Sequence, residues 1–324
     1  MSGALHNVGI LGTGSYAPPQ VVTNDDLAQR LDTSDEWIRA RTGIRMRHVA
    51  DMGVRTSDLA TEAAARALAA AGLAAEDLDL IILATSTPDY PGSFPSTAAL
   101  VQERLGAKRA AAFDLGAVCA GFAYALHVAA QMTRTGAHRH VLIVGAETLS
   151  AILDWDDRNT AVLFGDGAGA VVLGPVTSGG YLGGVLGADG AGASLLHVSP
   201  ENGCIFQNGR EVYKFAVTIM GEAAAQAVEA VGLQATDVDL LIPHQANIRI
   251  IEKAAGRMGL PMDKVFVNLD RYGNTSAASI PLALDEAVRA GRLKDGDLVV
   301  LVGFGAGLTW GANVLRWGDI AAHE

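Results

Sequence analysis

Few residues in this chain have side chains that invite chemistry, and they lie far apart. Cysteine occurs only as Cys119 and Cys204 in 324 residues. Cys119 sits in "DLGAVCAGFAYAL", after the strand-like "AAAFDL" and before "AGFAYALHVAAQMTRTG", a run of helical composition. A thiol at a strand-to-helix turn lies over a helix N-terminus, whose partial positive charge favours the thiolate, so a lowered pKa and a nucleophilic role are expected. The small neighbours Ala117, Ala120 and Gly121 allow a sharp turn and leave room above the sulfur. Cys204, in "ENGCIFQNG" among loop residues, reads as a small inert hydrophobe.

A thiolate nucleophile needs partners. Of eight histidines, His244 stands out because it ends the buried strand "VDLLIPH" just before "QAN" opens a helix. Ligand crevices of open α/β sheets lie at the carboxyl ends of strands. A third candidate is "RYGNTSAASIPLALDEA", where Gly273 supplies a turn and Asn274 can offer an amide donor. Taken alone, that stretch reads better as a plain helix cap.

The elements that must hold these residues are legible as alternating patterns. Leu78 to Thr85, His140 to Glu147, Gly169 to Pro175, Val238 to His244 and Asp297 to Phe304 are apolar runs of strand length. "TSDLATEAAARALAAAG", "GEAAAQAVEAVG" and "SIPLALDEAVRAG" have helical period. This alternation predicts an α/β fold with helices covering the sheet faces. The chain also repeats itself. "AGLAAEDLDLIIL" from Ala71 returns as "VGLQATDVDLLIP" from Val231, and "VLIVGAE" echoes "VVLVGFG". A duplicated unit follows, with halves 1–174 and 175–324 meeting near the glycine-rich "GPVTSGGYLGG". "GILGTGSYAPP" nearly fits a dinucleotide fingerprint, but Pro18 and Pro19 forbid the helix start that would hold a pyrophosphate. A tight turn is expected there instead.

Composition narrows the function classes. The 24 basic and 35 acidic residues give a net charge of −11, which disfavours nucleic-acid binding while permitting a local basic patch. Two cysteines outside any CxxC pair speak against zinc and thioredoxin chemistry, so no metal is expected. The N-terminal apolar run is too short for a signal peptide, and no stretch has the uninterrupted apolar length of a membrane span. A cytoplasmic location is the expectation.

Together, "AVCAGF", "PHQANIRI" and "GNTSAASIPLAL" resemble the Cys-His-Asn active-site motifs of β-ketoacyl-acyl-carrier-protein synthase III, the initiating condensing enzyme of type II fatty acid synthesis. "TSDEWIRARTGI", "FPSTAALVQ", "DRNTAVLFGDGAGAVVL" and "GREVYKFAV" extend the resemblance over nearly the whole chain. It implies a thiolase-like duplicated fold of five αβαβα layers, a homodimer, and an acyltransferase without cofactor beyond its coenzyme A thioester substrate. The implied reaction is decarboxylative condensation of an acyl-CoA, taken as acetyl-CoA, with malonyl-acyl-carrier-protein through an acyl-Cys119 intermediate. A synthase III of secondary metabolism using another primer, or a silent dimer partner, are the alternatives; intact Cys119, His244 and Asn274 speak against the last.

The resemblance also assigns roles. Backbone N–H groups of Cys119 and Ala306 form the oxyanion hole, although the family commonly has glycine at the latter position. Phe304 is a gatekeeper beside the departing carboxylate, or ordinary strand-end packing. Thr33, Trp37, Arg41, Arg158, Gly209 and Asn247 bind coenzyme A, with Trp37 and Arg158 on either side of the adenine. Phe94 reaches from the partner subunit to floor the acyl pocket, which the short segment Ala191 to Gln207 also borders. Lys214, Gln245, Arg249, Lys253 and Arg257 meet the acidic carrier protein. The last three of these cations are spaced four and four along one helix face, with Ile251, Ala255 and Met258 free to pack on another. A merely solvated face would show the same spacing.

Overall fold

A computed structural model of the chain describes residues 6–318. Two sheets carry the architecture. The first runs in the order Val8–Tyr16, Gly167–Pro175, Val141–Glu147, Leu80–Ala84, Ala111–Leu115. The second runs Gly180–Ala188, Thr309–Arg316, Leu298–Gly305, Leu240–Pro243. Read in these orders, both sheets begin with two antiparallel pairings and continue with a parallel one. The first then adds a second parallel pair between Leu80–Ala84 and Ala111–Leu115. The second keeps only a parallel bridge from Leu241 to Val265 in the corresponding place. The internal repeat of the sequence therefore appears as a repeat of topology.

The strands are apolar at consecutive positions because both faces of each sheet are covered. Leu80, Ile82, Val141, Ile143, Leu240, Ile242, Val299 and Leu301 share one core between the sheets. Their alternates Ile81, Leu83, Leu142 and Val144 face an outer layer of the first sheet, and Leu241, Val300 and Val302 face that of the second. Helices Gly121–Arg134 and Ser279–Arg289 fill the middle, burying Phe122, Ala125, Leu126 and Ala129, and Ile280, Ala283, Leu284 and Ala287. Thr56–Ala71 and Thr97–Leu105 cover the first sheet, and Gly209–Ala230 and Ile248–Arg257 the second. The five αβαβα layers follow.

One expected turn is a strand. "GILGTGSY" belongs to Val8–Tyr16, which pairs along its length with Gly167–Pro175. Its glycines receive the alanine-rich helix: a Cβ on Gly12 would stand 2.4 Å from the backbone N of Ala71. The double glycine serves helix-to-sheet approach, neither nucleotide binding nor chain reversal.

Candidate active site

Cys119 lies on the single turn Val118–Ala120, and helix Gly121–Arg134 begins directly after it. Val118 has φ of 48°, a left-handed conformation that a β-branched residue adopts only under constraint. That constraint is visible. The Thr309 hydroxyl donates to the carbonyls of both Ala117 (3.1 Å) and Ala306 (3.0 Å), fastening the nucleophile turn to the loop after Leu298–Gly305. Gly305 must be glycine, since a Cβ there would meet the backbone N of Cys119 at 2.7 Å. The sulfur is buried, and this reverses the expected shift. Desolvation, together with the nearby Glu147, pushes the thiol up to about 12 against the opposing influence of Ser276. The resting nucleophile is therefore a neutral thiol beneath a helix N-terminus.

His244 follows strand Leu240–Pro243, and its N–H donates to the Val302 carbonyl at 2.7 Å. Its Nδ1 lies 2.6 Å from Ser279 Oγ, which also accepts the Gln245 N–H at 3.3 Å. The Ser279 hydroxyl anchors the ring at Nδ1, and a serine proton donated to Nδ1 would leave the imidazole proton on Nε2. Complete burial lowers the ring pKa to about 3, so His244 is neutral. Asn274 is fixed as firmly. Its backbone bonds Leu163 and Gly165, and its Oδ1 accepts the Ser276 N–H at 2.8 Å. Its Nδ2 has no hydrogen-bond partner among the described residues. Cys119, His244, Asn274, Phe304 and Gly305 line one cavity of about 80 Å³. Phe304 stands edge-on to His244, with ring centroids 5.6 Å apart.

A second cavity, of about 100 Å³, opens on the other side of Cys119 and is walled by Leu149, Ile152, Leu196, Val198, Ile205 and Ala306. The sulfur thus stands between a crevice with two fixed neutral donors and an apolar chamber.

Residues 113–190 match the family described as 3-oxoacyl-[acyl-carrier-protein (ACP)] synthase III, and residues 228–317 match its C-terminal part. The β-ketoacyl-[acyl-carrier-protein] synthase III of Oceanobacillus iheyensis is 58% identical over 313 residues, covering 96% of this chain and 99% of that protein. The chain belongs to the synthase III family. The solved 3-oxoacyl-[acyl-carrier-protein] synthase III of Aquifex aeolicus superimposes with a TM-score of 0.93 at 49% identity, covering 96% of this chain and all of that one. The priming β-ketosynthase of the R1128 polyketide pathway superimposes almost as well, at a TM-score of 0.92, but with 37% identity over 98% of each chain. Backbone similarity alone does not separate the two groups; the sequence does, and it favours fatty acid synthesis. This synthase III is accordingly a thiolase-like condensing acyltransferase of fatty acid biosynthesis.

Around the centre of this synthase III, the expected coenzyme A residues are partly assembled. The Trp37 ring is flanked by the guanidinium groups of Arg41 at 4.3 Å and Arg158 at 5.0 Å. Arg158 also donates to the Asp32 carbonyl at 2.6 Å. Gly209 and Asn247 line the crevice with the catalytic candidates, and Asn247 caps helix Ile248–Arg257 while donating to the Arg41 carbonyl. Thr33 is half-buried, with its hydroxyl unpartnered. Phe94 is 85% exposed and lines neither cavity of its own chain.

The carrier-protein set needs correction. Gln245 is buried and inward, donating to the Pro243 and Phe266 carbonyls and accepting the Asn268 N–H. It braces the turn after His244 and cannot meet a partner. Arg249 donates to the Ala40 carbonyl at 2.7 Å, Arg257 pairs with Glu222 at 3.3 Å, and Lys214 pairs with Glu211 at 2.7 Å. Lys253 is exposed and, among the described residues, has no side-chain hydrogen bond or ion pair. Ile251, Ala255 and Met258 are buried as expected, joined by Ile250 and Ala254. Sequence reasoning missed Ser279, Ser276 and Glu147 altogether, because their link to the site is made by folding over long separations.

Proposed function

We propose that this synthase III condenses a short acyl-CoA, with acetyl-CoA as the first choice, and malonyl-acyl-carrier-protein into a 3-oxoacyl-acyl-carrier-protein. Cys119 attacks the thioester, and the acyl group is carried as a new thioester on its sulfur. Backbone N–H groups of Cys119 and Ala306 receive the developing oxyanion. The acyl chain enters the apolar chamber, whose volume of about 100 Å³ suits a short primer. Malonyl-acyl-carrier-protein then occupies the crevice. Loss of carbon dioxide leaves an enolate, which attacks the acyl carbonyl and expels Cys119. Because decarboxylation itself creates the carbanion, no carboxylate base is needed at the substrate.

The observation that carries this reading is the pair of neutral, immobilised donors. In this reading the Ser279 hydroxyl donates to Nδ1, so that His244 offers Nε2–H, and Asn274, held through its Oδ1 by the Ser276 N–H, offers Nδ2–H. A developing enolate oxygen wants such preorganised donors, each worth about 3 kcal/mol in typical cases. Phe304 borders the same crevice, where the carboxylate would leave. Trp37, Arg41 and Arg158 would hold the coenzyme A adenine and phosphates, with Thr33, Gly209 and Asn247 along the channel. Lys253, with Arg249, Arg257 and Lys214 around it, would form the carrier-protein rim.

We also take the enzyme to be a cytoplasmic homodimer. Ala111–Leu115 is an edge strand of the first sheet with Phe113 37% exposed, and Phe94 is bare. Unpaired edges with apolar side chains favour pairing with a second copy. Among the described residues no helix is long and apolar enough to cross a membrane. The halves 1–174 and 175–324 then supply Cys119 and the His244–Asn274 pair respectively.

Intact-mass measurement after mixing with a panel of acyl-CoA primers tests the central claim. Acetyl-CoA should add one acetyl group per chain, on Cys119, and Cys119→Ser should acquire none while keeping its fold. Acylation of Cys204, or undiminished acylation of the Cys119→Ser protein, would sink the assignment.

A further inference from the structure

Cys119 has a buried neighbour that the mechanism above does not use. Glu147 ends strand Val141–Glu147 and is fully buried. Both its oxygens accept the Ser86 N–H, at 3.1 and 3.0 Å, and Oε2 also accepts the hydroxyls of Thr87 at 2.6 Å and Thr85 at 3.2 Å. These are all donors, the set suited to a carboxylate rather than a carboxylic acid. Yet among the described residues Glu147 belongs to no ion pair, and burial raises its pKa. The turn Ser276–Ala278 packs between the end of this strand and the Cys119 turn. Ser276 is held there with φ of 49° and lines the apolar chamber together with Cys119 and Ser86, whose N–H is bonded to Glu147. The Ser276 hydroxyl is buried and has no hydrogen-bond partner among the described residues, and the same holds for the buried hydroxyl of Ser86.

We infer that Glu147 stores the Cys119 proton between the two half-reactions, with the Ser276 hydroxyl as the path. The charge count is the reason. A thiolate made by losing its proton to bulk water adds a second buried negative charge beside Glu147, and like charges this close resist joint ionisation. A thiolate made by passing the proton to Glu147 leaves one negative charge in the same buried space. In acylation, the Cys119 S–H bond breaks, the sulfur bonds the acyl carbon, and the acyl-to-coenzyme A C–S bond breaks. Glu147 becomes neutral, and the departing coenzyme A thiolate takes its proton from water. In condensation, the new carbon–carbon bond expels Cys119 sulfur, which recovers its proton from Glu147. The pair returns to thiol and carboxylate. Glu147 is a positioning residue for that proton and touches no substrate. The titratable group facing it is the Cys119 thiol; the other groups around it are the Ser86 amide and the hydroxyls of Thr85, Ser86, Thr87 and Ser276.

The inference rests on the acyl-Cys119 reading, and one experiment separates their failures. Single-turnover acylation with acetyl-CoA, in weak buffer with a pH indicator at about pH 7.5, should remove close to one proton from solution per acyl group counted by mass. Condensation with malonyl-acyl-carrier-protein should then remove none. Glu147→Gln should acylate at least tenfold more slowly, with no proton uptake. Ser276→Ala, a smaller change should the first variant fail to fold, should behave likewise. Acyl-enzyme forming in the wild type without uptake would overturn the inference, and that measurement needs no variant. Uptake undiminished in Glu147→Gln would return the proton to His244 and overturn it equally. Failure to form acyl-enzyme at all would overturn the acyl-Cys119 reading, and the inference with it.

Discussion

At the scale of single residues, the site is a set of side chains whose options have been removed by their neighbours. Asn274 is anchored through its oxygen by the Ser276 N–H, and His244 is anchored at Nδ1 by Ser279. Cys119 and His244 are legible in sequence because each sits where a strand pattern gives way to a helix, whereas Asn274 reads as a helix cap until its motif is set beside the family's. Ser279 is not legible, since a serine at a helix start reads as a cap; its distance from His244 in the chain hides its task. Gln245, which the resemblance places against the carrier protein, is hidden for a related reason. It is polar and adjacent to His244, but the turn after the strand points it inward. Ser279→Ala should therefore separate the half-reactions. It frees the imidazole to rotate or to carry its proton on Nδ1, and it leaves the Gln245 N–H without that acceptor. Condensation should slow about 10- to 100-fold, on the scale of lost preorganisation, while acetylation of Cys119 keeps its rate and the KM for malonyl-acyl-carrier-protein barely moves. A loss shared equally by both half-reactions would make Ser279 merely structural. Stopped-flow acylation and steady-state condensation provide the two readings.

At the scale of elements, the sequence periodicity predicts most of what is found. Period-two alternation within continuous apolar strands sorts Leu80 from Ile81 and Val299 from Val300 into different layers, which is what two covered faces require. What periodicity does not show is how closely elements approach. The glycines of "GILGTGSY" suggest a turn in sequence because glycine tolerates turns; in the fold they make room for the backbone of helix Thr56–Ala71. Gly305 does the same for the catalytic turn. Gly305→Ala would drive a Cβ to 2.7 Å from the Cys119 N, a backbone atom that cannot step aside cheaply. The variant should lose about 1–3 kcal/mol of stability through overpacking, seen as a lower urea midpoint. A displacement of the nucleophile by a fraction of an ångström should lower acylation by about 10- to 100-fold. Retention of both wild-type stability and acylation rate would mean that the turn has slack that the packing denies.

At the scale of the whole molecule, a protein of net charge −11 that takes the acidic carrier protein proposed above would have to attract it through a local exception to its own field. Spacing along helix Ile248–Arg257 suggests three such cations, but spacing is silent about partners distant in sequence. Folding brings the Ala40 carbonyl to Arg249 and Glu222 to Arg257, leaving Lys253 with its charge uncommitted. The three positions should therefore differ in effect. Lys253→Glu should raise the KM for malonyl-acyl-carrier-protein by about three- to tenfold, leaving acetylation of Cys119 and the folded stability nearly unchanged, because exposed charges act chiefly on encounter. Arg257→Glu should raise it less, since part of that charge is already offset by Glu222, while adding a repulsion that lowers stability slightly. Wild-type condensation should weaken as salt rises from about 50 to 300 mM, where screening shortens to less than 10 Å, and the Lys253→Glu enzyme should respond less. Equal losses in acylation and condensation would place this helix on the coenzyme A side of the enzyme, and no loss at Lys253 would make its face merely solvated.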